Sequence, residues 1–500
     1  MELFDHLALG FATALSFENV AYCFIGVLIG TFIGVLPGLG PTATIAMLLP
    51  ITYYLTPTAS LIMLAGIYYG SQYGGSTTAI LVNLPGEVSS SVTAIDGYQM
   101  ARRGEAGKAL AIAAIGSFIA GTFATLVIAI VAVPLASLAL RFGPPEYFAL
   151  MLLGLVASTA LAHGSVLKAM AMIVTGILFG IVGTDVDSGQ FRFTLGIVEL
   201  TDGLSIVAVA LGIFGIAEVL RNLEHMPDSA AGTAKITGLM PTRADLRAAA
   251  GPIVRGSLLG SLLGTLPGGG SILSAFSSYM LEKRLSPNPE RFGKGAIEGV
   301  AGPESANNAG AQTSFIPLLT LGIPAHPLMA LMVGALMIQG ITPGPNVVVQ
   351  QPAFFWGVIA SMWIGNALLV ILNLPLVGLW AKLLKIPFSY LCTGVLIFCV
   401  IGAYGLKQSM FDVWVMLGFG ILGYLLRKLD FPLAPAILAL ILGPMMEKSL
   451  RTTLEISGGS FAIFLDRPVA LALLAVPVIV LGALLLRPRS FSKLRESDID

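Results

Sequence analysis

The sequence predicts an all-α polytopic membrane protein: two inverted-topology repeats with broken helices or re-entrant hairpins, and about 12 transmembrane helices of roughly 20 residues each. Three observations predict it. Charged residues make up 11% of the 500 and apolar residues 56%, whereas soluble domains run at about 25% charged. A pattern of Gly26, Gly30, Gly34, Pro37, Gly38 and Gly40 recurs 230 residues later as Gly256, Gly260, Gly264, Pro267, Gly268 and Gly270, with Leu28 and Leu36 matched by Leu258 and Leu266. Lys and Arg collect in alternate connections, and equivalent connections of the two copies differ in charge.

Apolar runs fill nearly the whole chain and leave no room for a sizeable soluble domain. The longest polar stretch, Arg221 to Arg255, is too short to build its own core and reads as a linker. Lys plus Arg equals Asp plus Glu at 27 each, so no excess of basic charge points to nucleic acid. Cys23, Cys392 and Cys399 lie in apolar segments without CxxC spacing, which predicts buried thiols rather than a disulfide or metal site. The N-terminus lacks a basic n-region and a small-residue cleavage site and is expected to be retained.

Short cytoplasmic connections of membrane proteins are rich in Lys and Arg. The basic segments here are Arg102 to Lys108, Lys168, Arg221 to Arg255, Lys283 to Lys294, Lys382 with Lys385, Arg427 with Lys428, and the tail from Arg487. Connections around Tyr53 to Ala59, Gly143 to Glu146, Asp185 to Gln190 and Thr342 to Gln351 carry almost no positive charge and are placed outside. The first Pro-Gly segment is followed by an uncharged loop and the second by the basic Glu282 to Arg291; the next loop reverses this, Arg102 to Lys108 against Thr342 to Gln351. Each element therefore faces opposite sides in the two copies.

The path that follows starts outside. Gly26 to Pro50 enters and returns as two short spans or a re-entrant hairpin, and Ala59 to Ile95 makes one net crossing. Helices near Leu110–Val133, Phe148–Leu161, Ala169–Gly183 and Leu204–Leu220 lead to the linker. The second copy adds helices near Ala353–Leu379, Leu391–Tyr404, Val413–Leu426 and Leu433–Leu442, and a last one near Val469–Leu486 returns the C-terminus to the cytoplasm. Repeat 1 is thus 1–220, the linker 221–255, repeat 2 256–445 and the C-terminal helix with its tail 446–500. Arg467, left outside by this path, breaks the charge rule.

Irregular backbone at membrane depth must be buried in protein or line a watery cavity. Pro37, Gly38 and Gly40, followed by Thr42 and Thr44, and Pro267, Gly268, Gly269 and Gly270, followed by Ser271 and Ser274, break their helices. A helix starting there aims free N–H groups and partial positive charge into a cavity, which suits an anion; ordinary interhelical turns are the plainer alternative. The upstream glycines at fourfold spacing serve close helix packing. A second polar set contains Ser71, Gln72, Ser76, Thr77, Thr78, Asn83 and Glu87 in the first copy, and Glu304, Ser305, Asn307, Asn308, Gln312, Thr313 and Ser314 in the second. Hydroxyls and amides hydrogen-bond carboxylates and their oxygens coordinate Na⁺; such clusters also hold helices together. Glu304, with Gln312 beside it, is the candidate for coupling a cation, as ligand or proton carrier, because a carboxylate at membrane depth is costly. A solvated position at the cytoplasmic end of the span is its alternative.

These residues sit in long strings: YYGSQYGGSTTAILVNLPG at 68–86 with DGYQMARRG at 96–104, and GVAGPESANNAG at 299–310 with LGIP at 321–324. On them and on the paired Pro-Gly-x-Gly segments, over nearly its full length, the chain resembles the large membrane subunit (TctA-type permease) of the tripartite tricarboxylate transporters. The resemblance implies a permease of the bacterial inner membrane, N-terminus periplasmic and C-terminus cytoplasmic. It implies import of citrate or related carboxylates with a periplasmic substrate-binding protein and a small membrane subunit, coupled to Na⁺ or H⁺, with no other cofactor. A passive anion channel is the competing reading. An intramembrane enzyme finds no support: there is no HExxH, no GxSxG and no Walker A sequence, the histidines His6, His163, His225 and His326 are scattered, and Gly38-x-Gly40-x-x-Ala43 lacks the βαβ unit of a dinucleotide site.

Overall fold

A computed structural model describes residues 2–36, 40–161, 165–185, 187–224, 238–266, 270–384 and 388–486. The chain begins with α1 (Glu2–Ala14), a helix not anticipated from the sequence, then α2 (Phe17–Val35), α3 (Pro41–Thr52), α4 (Pro57–Val82), α5 (Ser91–Arg102) and α6 (Ala106–Ala139). After α7 (Pro144–Leu161) and α8 (Val166–Gly180), a small hairpin pairs β1 (Gly183–Thr184) with β2 (Phe191–Arg192). The expected helix at Leu204–Leu220 is α9 (Ile206–Ala210) continued through a π-helical turn, Leu211–Ile216, into α10 (Ala217–Glu224).

The second copy supplies α11 (Arg243–Gly264), α12 (Gly270–Leu285), α13 (Glu298–Thr313), α14 (Phe315–Leu321), α15 (Pro327–Ile338), α16 (Pro345–Gln350), α17 (Pro352–Asn373) and α18 (Val377–Leu383). The chain closes with α19 (Phe388–Lys407), α20 (Met410–Lys428), α21 (Ala434–Ile456), α22 (Ile463–Asp466) and α23 (Pro468–Leu486). Six described helices are long and apolar enough to cross a membrane, among them α2, α6, α17 and α20. At 1.5 Å per residue, α3 is only about 18 Å long, short of the roughly 30 Å hydrocarbon core.

Several boundaries differ from the sequence reading for local reasons. The segment read as linker is already helical from Arg243, because Thr242 and Asp245 form a capping box that starts a helix ahead of its apolar stretch. There the Thr242 hydroxyl, helped by Lys108 at 3.5 Å, holds the Asp245 carboxyl below the usual carboxylate range. The predicted Leu433–Leu442 helix runs on to Ile456, since its charged end is helix-compatible and Arg451 pairs with Glu447 one turn away at 2.7 Å. The predicted Ala353–Leu379 helix stops at Asn373 and restarts at Val377.

Contacts divide the chain into two units: Met1–Arg141 with Val182–Lys428, and Phe142–Ile181 with Leu429–Asp500. In the second, α8 packs on α21 through Gly176 and Gly180, whose Cα positions face the carbonyls of Ala436 and Leu440. Arg467, the exception to the charge rule, pairs there with the buried Glu146 at 3.7 Å, while Glu146 also accepts the Gly143 N–H. Its placement answers to an ion pair.

The first unit is organised by two helix pairs of the same design. The sequence glycines of α2 face α4 so closely that a Cβ at Gly26, Gly30 or Gly34 would run into the carbonyls of Met63, Ile67 and Ser71. In α11 and α13, Gly256, Gly260 and Gly264 meet the carbonyls of Gly302, Ala306 and Gly310 in the same way. Absence of side chains lets the backbones touch. The register is common to both pairs, since every carbonyl partner is displaced by 239 residues. Cys23, Cys392 and Cys399 are buried free thiols.

Candidate functional site between the polar helices

Helix α4 starts with Thr56 capping the Ala59 N–H and Pro57 in its first turn, and every residue from Ala59 to Val82 is buried. A helix buried on all sides has no apolar stripe to display; its polar groups must find partners in protein. It ends at Asn83 in the left-handed conformation, φ 57°. The common displacement of 239 places Asn83 opposite Gly322, which ends α14 at φ 73°. Pro85 then matches Pro324, and Glu87 matches His326.

The two polar helices meet at Glu304. This residue is 1% exposed; the Ser76 hydroxyl of α4 lies 2.6 Å from its Oε2, and the Thr93 hydroxyl of α5 bonds its Oε1. One turn on, Asn308 donates to Ser117 of α6 at 2.7 Å and to the Glu304 carbonyl at 3.1 Å; the next turn brings Gln312 against Thr125 of α6 at 3.5 Å. Spacing by four puts Glu304, Asn308 and Gln312 on one face of α13. A cavity of about 20 Å³, lined by Glu304, Ser76, Thr77, Tyr73, Ser117 and Asn373 among others, has room for one water. It is far too small for a tricarboxylate, so a ligand of that size requires its walls to part.

Asn307 faces elsewhere. It is fully buried, and its amide lies against the Glu87 carboxylate. Glu87, in the break after α4, accepts from the Ser89 hydroxyl, which also lies 3.1 Å from Gln72 Oε1. The Gln72 amide also lies beside Glu87. Tyr68 connects the two breaks: its hydroxyl is 3.2 Å from His326 Nε2 and reaches Ser271. Gly270, φ 48°, opens α12 directly against the His326 ring.

The remaining sequence candidates fall into four groups. Ser71, Thr78, Ser274 and Thr313 are buried and give their hydroxyl protons to carbonyls of their own helices, at 2.7 to 3.0 Å. Thr44 and Thr77 make longer bonds of this kind, at 3.2 Å, and Ser314 bonds both Gly310 and, across to α11, Gly264. Such hydroxyls serve helix packing first. Gly40 caps α3, where an added Cβ would meet nothing within 4 Å among the described residues, and Thr42 is half-buried in the following turn. Asn83 is exposed and terminates α4, away from the Glu304 cluster. Gly38, Gly268 and Gly269, with Pro37 and Pro267, lie outside the described residues.

Sequence reasoning gave no role to Thr93, Tyr68 or His326, and left Gln72 and Glu87 in the polar set without one. The usable signal was the second acid beside a helix break, marked by the same cost argument as Glu304. It also passed over Asp96, which is fully buried in α5. One Asp96 oxygen accepts the N–H groups of Gly293, Gly295 and Ala296 at 2.7 to 2.9 Å, and the other the Tyr279 hydroxyl at 3.0 Å. Positive φ at Gly293 and Gly295 turns the three amides onto one acceptor.

The model of the tripartite tricarboxylate transporter TctA family matches residues 20–438. The chain belongs to the TctA family. That stretch contains both glycine-stacked pairs, both breaks, and Glu87 and Glu304; the TctA-family chain as a whole has relatives as well. It is 61% identical over 476 residues, 95% of each chain, to an Agrobacterium vitis protein called "Uncharacterized 52.8 kDa protein in TAR-I ttuC' 3'region". It is 59% identical over 232 residues, 46% of this chain and 96% of the other, to a second A. vitis protein, from the TAR-II ttuC' 3' region. No solved structure matches. Membership makes this TctA-family protein a membrane component of a tripartite transporter system, which implies partner subunits.

Proposed function

We propose that the chain is the permease subunit of a binding-protein-dependent secondary transporter that imports tricarboxylates such as citrate, or related carboxylates, with Na⁺ or H⁺. In this reading a periplasmic binding protein delivers substrate, a small membrane subunit completes the complex, and the chain spans the bacterial inner membrane with its N-terminus periplasmic and its C-terminus cytoplasmic. Residues 1–220 and 256–445 are repeats of opposite topology joined by 221–255, with about 12 crossings. The helix starts at Gly40 and Gly270, with Gly38, Gly268, Gly269, Thr42, Ser271, Asn307 and Asn308, face the carboxylate.

One observation supports this reading above the rest: a glycine-stacked pair leading to a helix break occurs twice in one register, and the polar helices of both pairs meet at Glu304. The contacts of Glu87 and Glu304 are hydroxyls and amides, which leave their charge unbalanced. An anion entering beside such carboxylates is repelled unless a cation arrives as well, which supports the symport reading.

The test is uptake of labelled citrate into proteoliposomes holding the complex. Uptake is expected to need both the binding protein and an ion gradient; uptake indifferent to both identifies a passive channel. Asn308→Leu, which strips Ser117 and the Glu304 carbonyl of their donor, is expected to abolish uptake with normal membrane expression. Asn83→Gly, which reproduces the residue at 322, is expected to leave it intact. Normal uptake by Asn308→Leu removes that residue from the site.

A further inference from the structure

We infer that the hairpin between α8 and α9 is the docking point for the periplasmic substrate-binding protein, and that this partner brings an apolar groove bordered by Lys and Arg. The inference rests on the transporter reading and goes beyond it in naming the surface and its chemistry. The observation is a reversed pattern. A hairpin with one face in water turns its apolar residues in and its polar residues out. Here Phe191, Phe193 and Leu195 are 65%, 58% and 87% exposed, while Thr194 is buried and Arg192 is half-buried and pairs with Asp185 at 3.9 Å. Val198, three residues on, is 75% exposed as well. The backbone holds this arrangement at a cost: Phe193 and Leu195 have φ of 55° and 52°, a left-handed conformation that bulky side chains avoid. Such strain persists only where the surroundings over-determine it, and it gathers at functional sites. The surroundings here are hydrogen bonds: the Thr184 N–H and hydroxyl both reach the Thr201 carbonyl at 2.8 Å, and the Ile197 N–H reaches the Thr194 carbonyl at 2.8 Å. The loop is tied down so that its apolar side chains stand in the open, which marks an interaction surface.

Charge decides what covers it. Residues 182–203 carry four acids, Asp185, Asp187, Glu199 and Asp202, against one base, Arg192. Asp187, Glu199 and Asp202 are exposed. Segments that lay apolar side chains on a membrane surface carry Lys and Arg beside them, which meet anionic headgroups. Acids in that place oppose such contact, so the ridge faces protein. A second copy of this chain would set the same acids against these, which like-charge repulsion disfavours. An apolar centre with a polar rim is the anatomy of a protein interface, and rim charges steer a partner of opposite sign and speed its encounter. A protein that binds, unloads and leaves needs a small contact formed quickly. The connection Asp185 to Gln190 is placed outside by its lack of positive charge, the side from which a periplasmic protein arrives.

The test uses the whole membrane complex in nanodiscs and the purified binding protein loaded with citrate. The photocrosslinker p-benzoylphenylalanine at position 195 is expected to capture the binding protein; at position 240, where Met240 is 90% exposed in the segment read as cytoplasmic, it is expected not to. Phe193→Ser with Leu195→Ser is expected to keep the parent's unfolding temperature and to weaken binding at least about tenfold, the effect of losing a central apolar anchor. Asp187→Lys with Glu199→Lys is expected to slow association several-fold and to flatten its salt dependence. In proteoliposomes the serine variant is expected to need correspondingly more binding protein for half-maximal citrate uptake and to reach the parent's maximum when that protein saturates, a split that a folding defect does not produce. Capture from position 195 of lipid, of the small membrane subunit or of a second copy in place of the binding protein overturns the proposal. So does equal affinity of parent and serine variant, an outcome that leaves the transporter reading standing. A parent complex that does not bind the loaded protein at all overturns the binding-protein-dependent reading itself, and the docking point with it.

Discussion

Gly30→Ala and Gly260→Ala are each expected to destabilise the protein and abolish transport, although each adds a single methyl group. At Gly30 the new Cβ meets the Ile67 carbonyl and Cα; at Gly260 it meets the carbonyl and Cα of Ala306. Both obstacles are backbone, so no side-chain rotation relieves them. The helices must move apart, and the neighbouring contacts at Gly26 and Gly34, or Gly256 and Gly264, open with them. Overpacking of a tight interior costs about 1–3 kcal/mol, and these sites belong at or above the upper end because a row of contacts is lost together. Thermal unfolding in detergent measures the loss. Gly405→Ala, in α19 with nothing within 4 Å of the added carbon, is the control and is expected to stay within about 0.5 kcal/mol of the parent. A Gly260→Ala protein as stable as that control refutes the close approach of α11 to α13.

Removing the Asp96 carboxylate is expected to rank with these. Asp96→Ala strands the N–H groups of Gly293, Gly295 and Ala296 and the Tyr279 hydroxyl. A buried donor without a partner costs about 1–3 kcal/mol, so three amides together put the loss at roughly 3–6 kcal/mol once some admit water. Asp96→Asn keeps an acceptor oxygen and falls well short of that; Tyr279→Phe removes one bond and costs about 1 kcal/mol. Hydrogen exchange reports the mechanism directly: the amides of Gly293, Gly295 and Ala296 exchange faster in Asp96→Ala and remain protected in Tyr279→Phe. Unchanged protection in Asp96→Ala rules out the latch.

The class of the protein and the role of its glycines were legible because lipid imposes them. Low charge, long apolar runs and small residues at fourfold spacing are one-dimensional traces of a solvent and of a close helix contact. The site was legible in part. Glu304 and Asn308 stand out as polar residues in an apolar setting, and α13 carries them on one face. Glu87 and Gln72 stood in the polar set without a role because their significance lies in a shared hydroxyl, and Ser89 is 17 residues from Gln72. Asp96 was missed for a related reason: in sequence it is an ordinary helical aspartate, and its partners lie about 200 residues away. The end of α21 was misjudged because charge was read as a helix boundary, whereas Arg451 and Glu447 show it is only a boundary of the apolar stretch.

The shared register conceals a difference in length. The stacking glycines of the two copies are displaced by 230 residues and the carbonyls they touch by 239, so the second copy holds nine more residues between its paired helices. Only four residues, 53–56, separate α3 from α4, whereas 286–297 separate α12 from α13. Gly293, Gly295 and Ala296, the receptor for Asp96, sit in that longer connection. The longer connection thus carries the amides that grip the other helix pair's neighbour α5, so the two glycine-stacked pairs, alike in register, differ in how they are tied together.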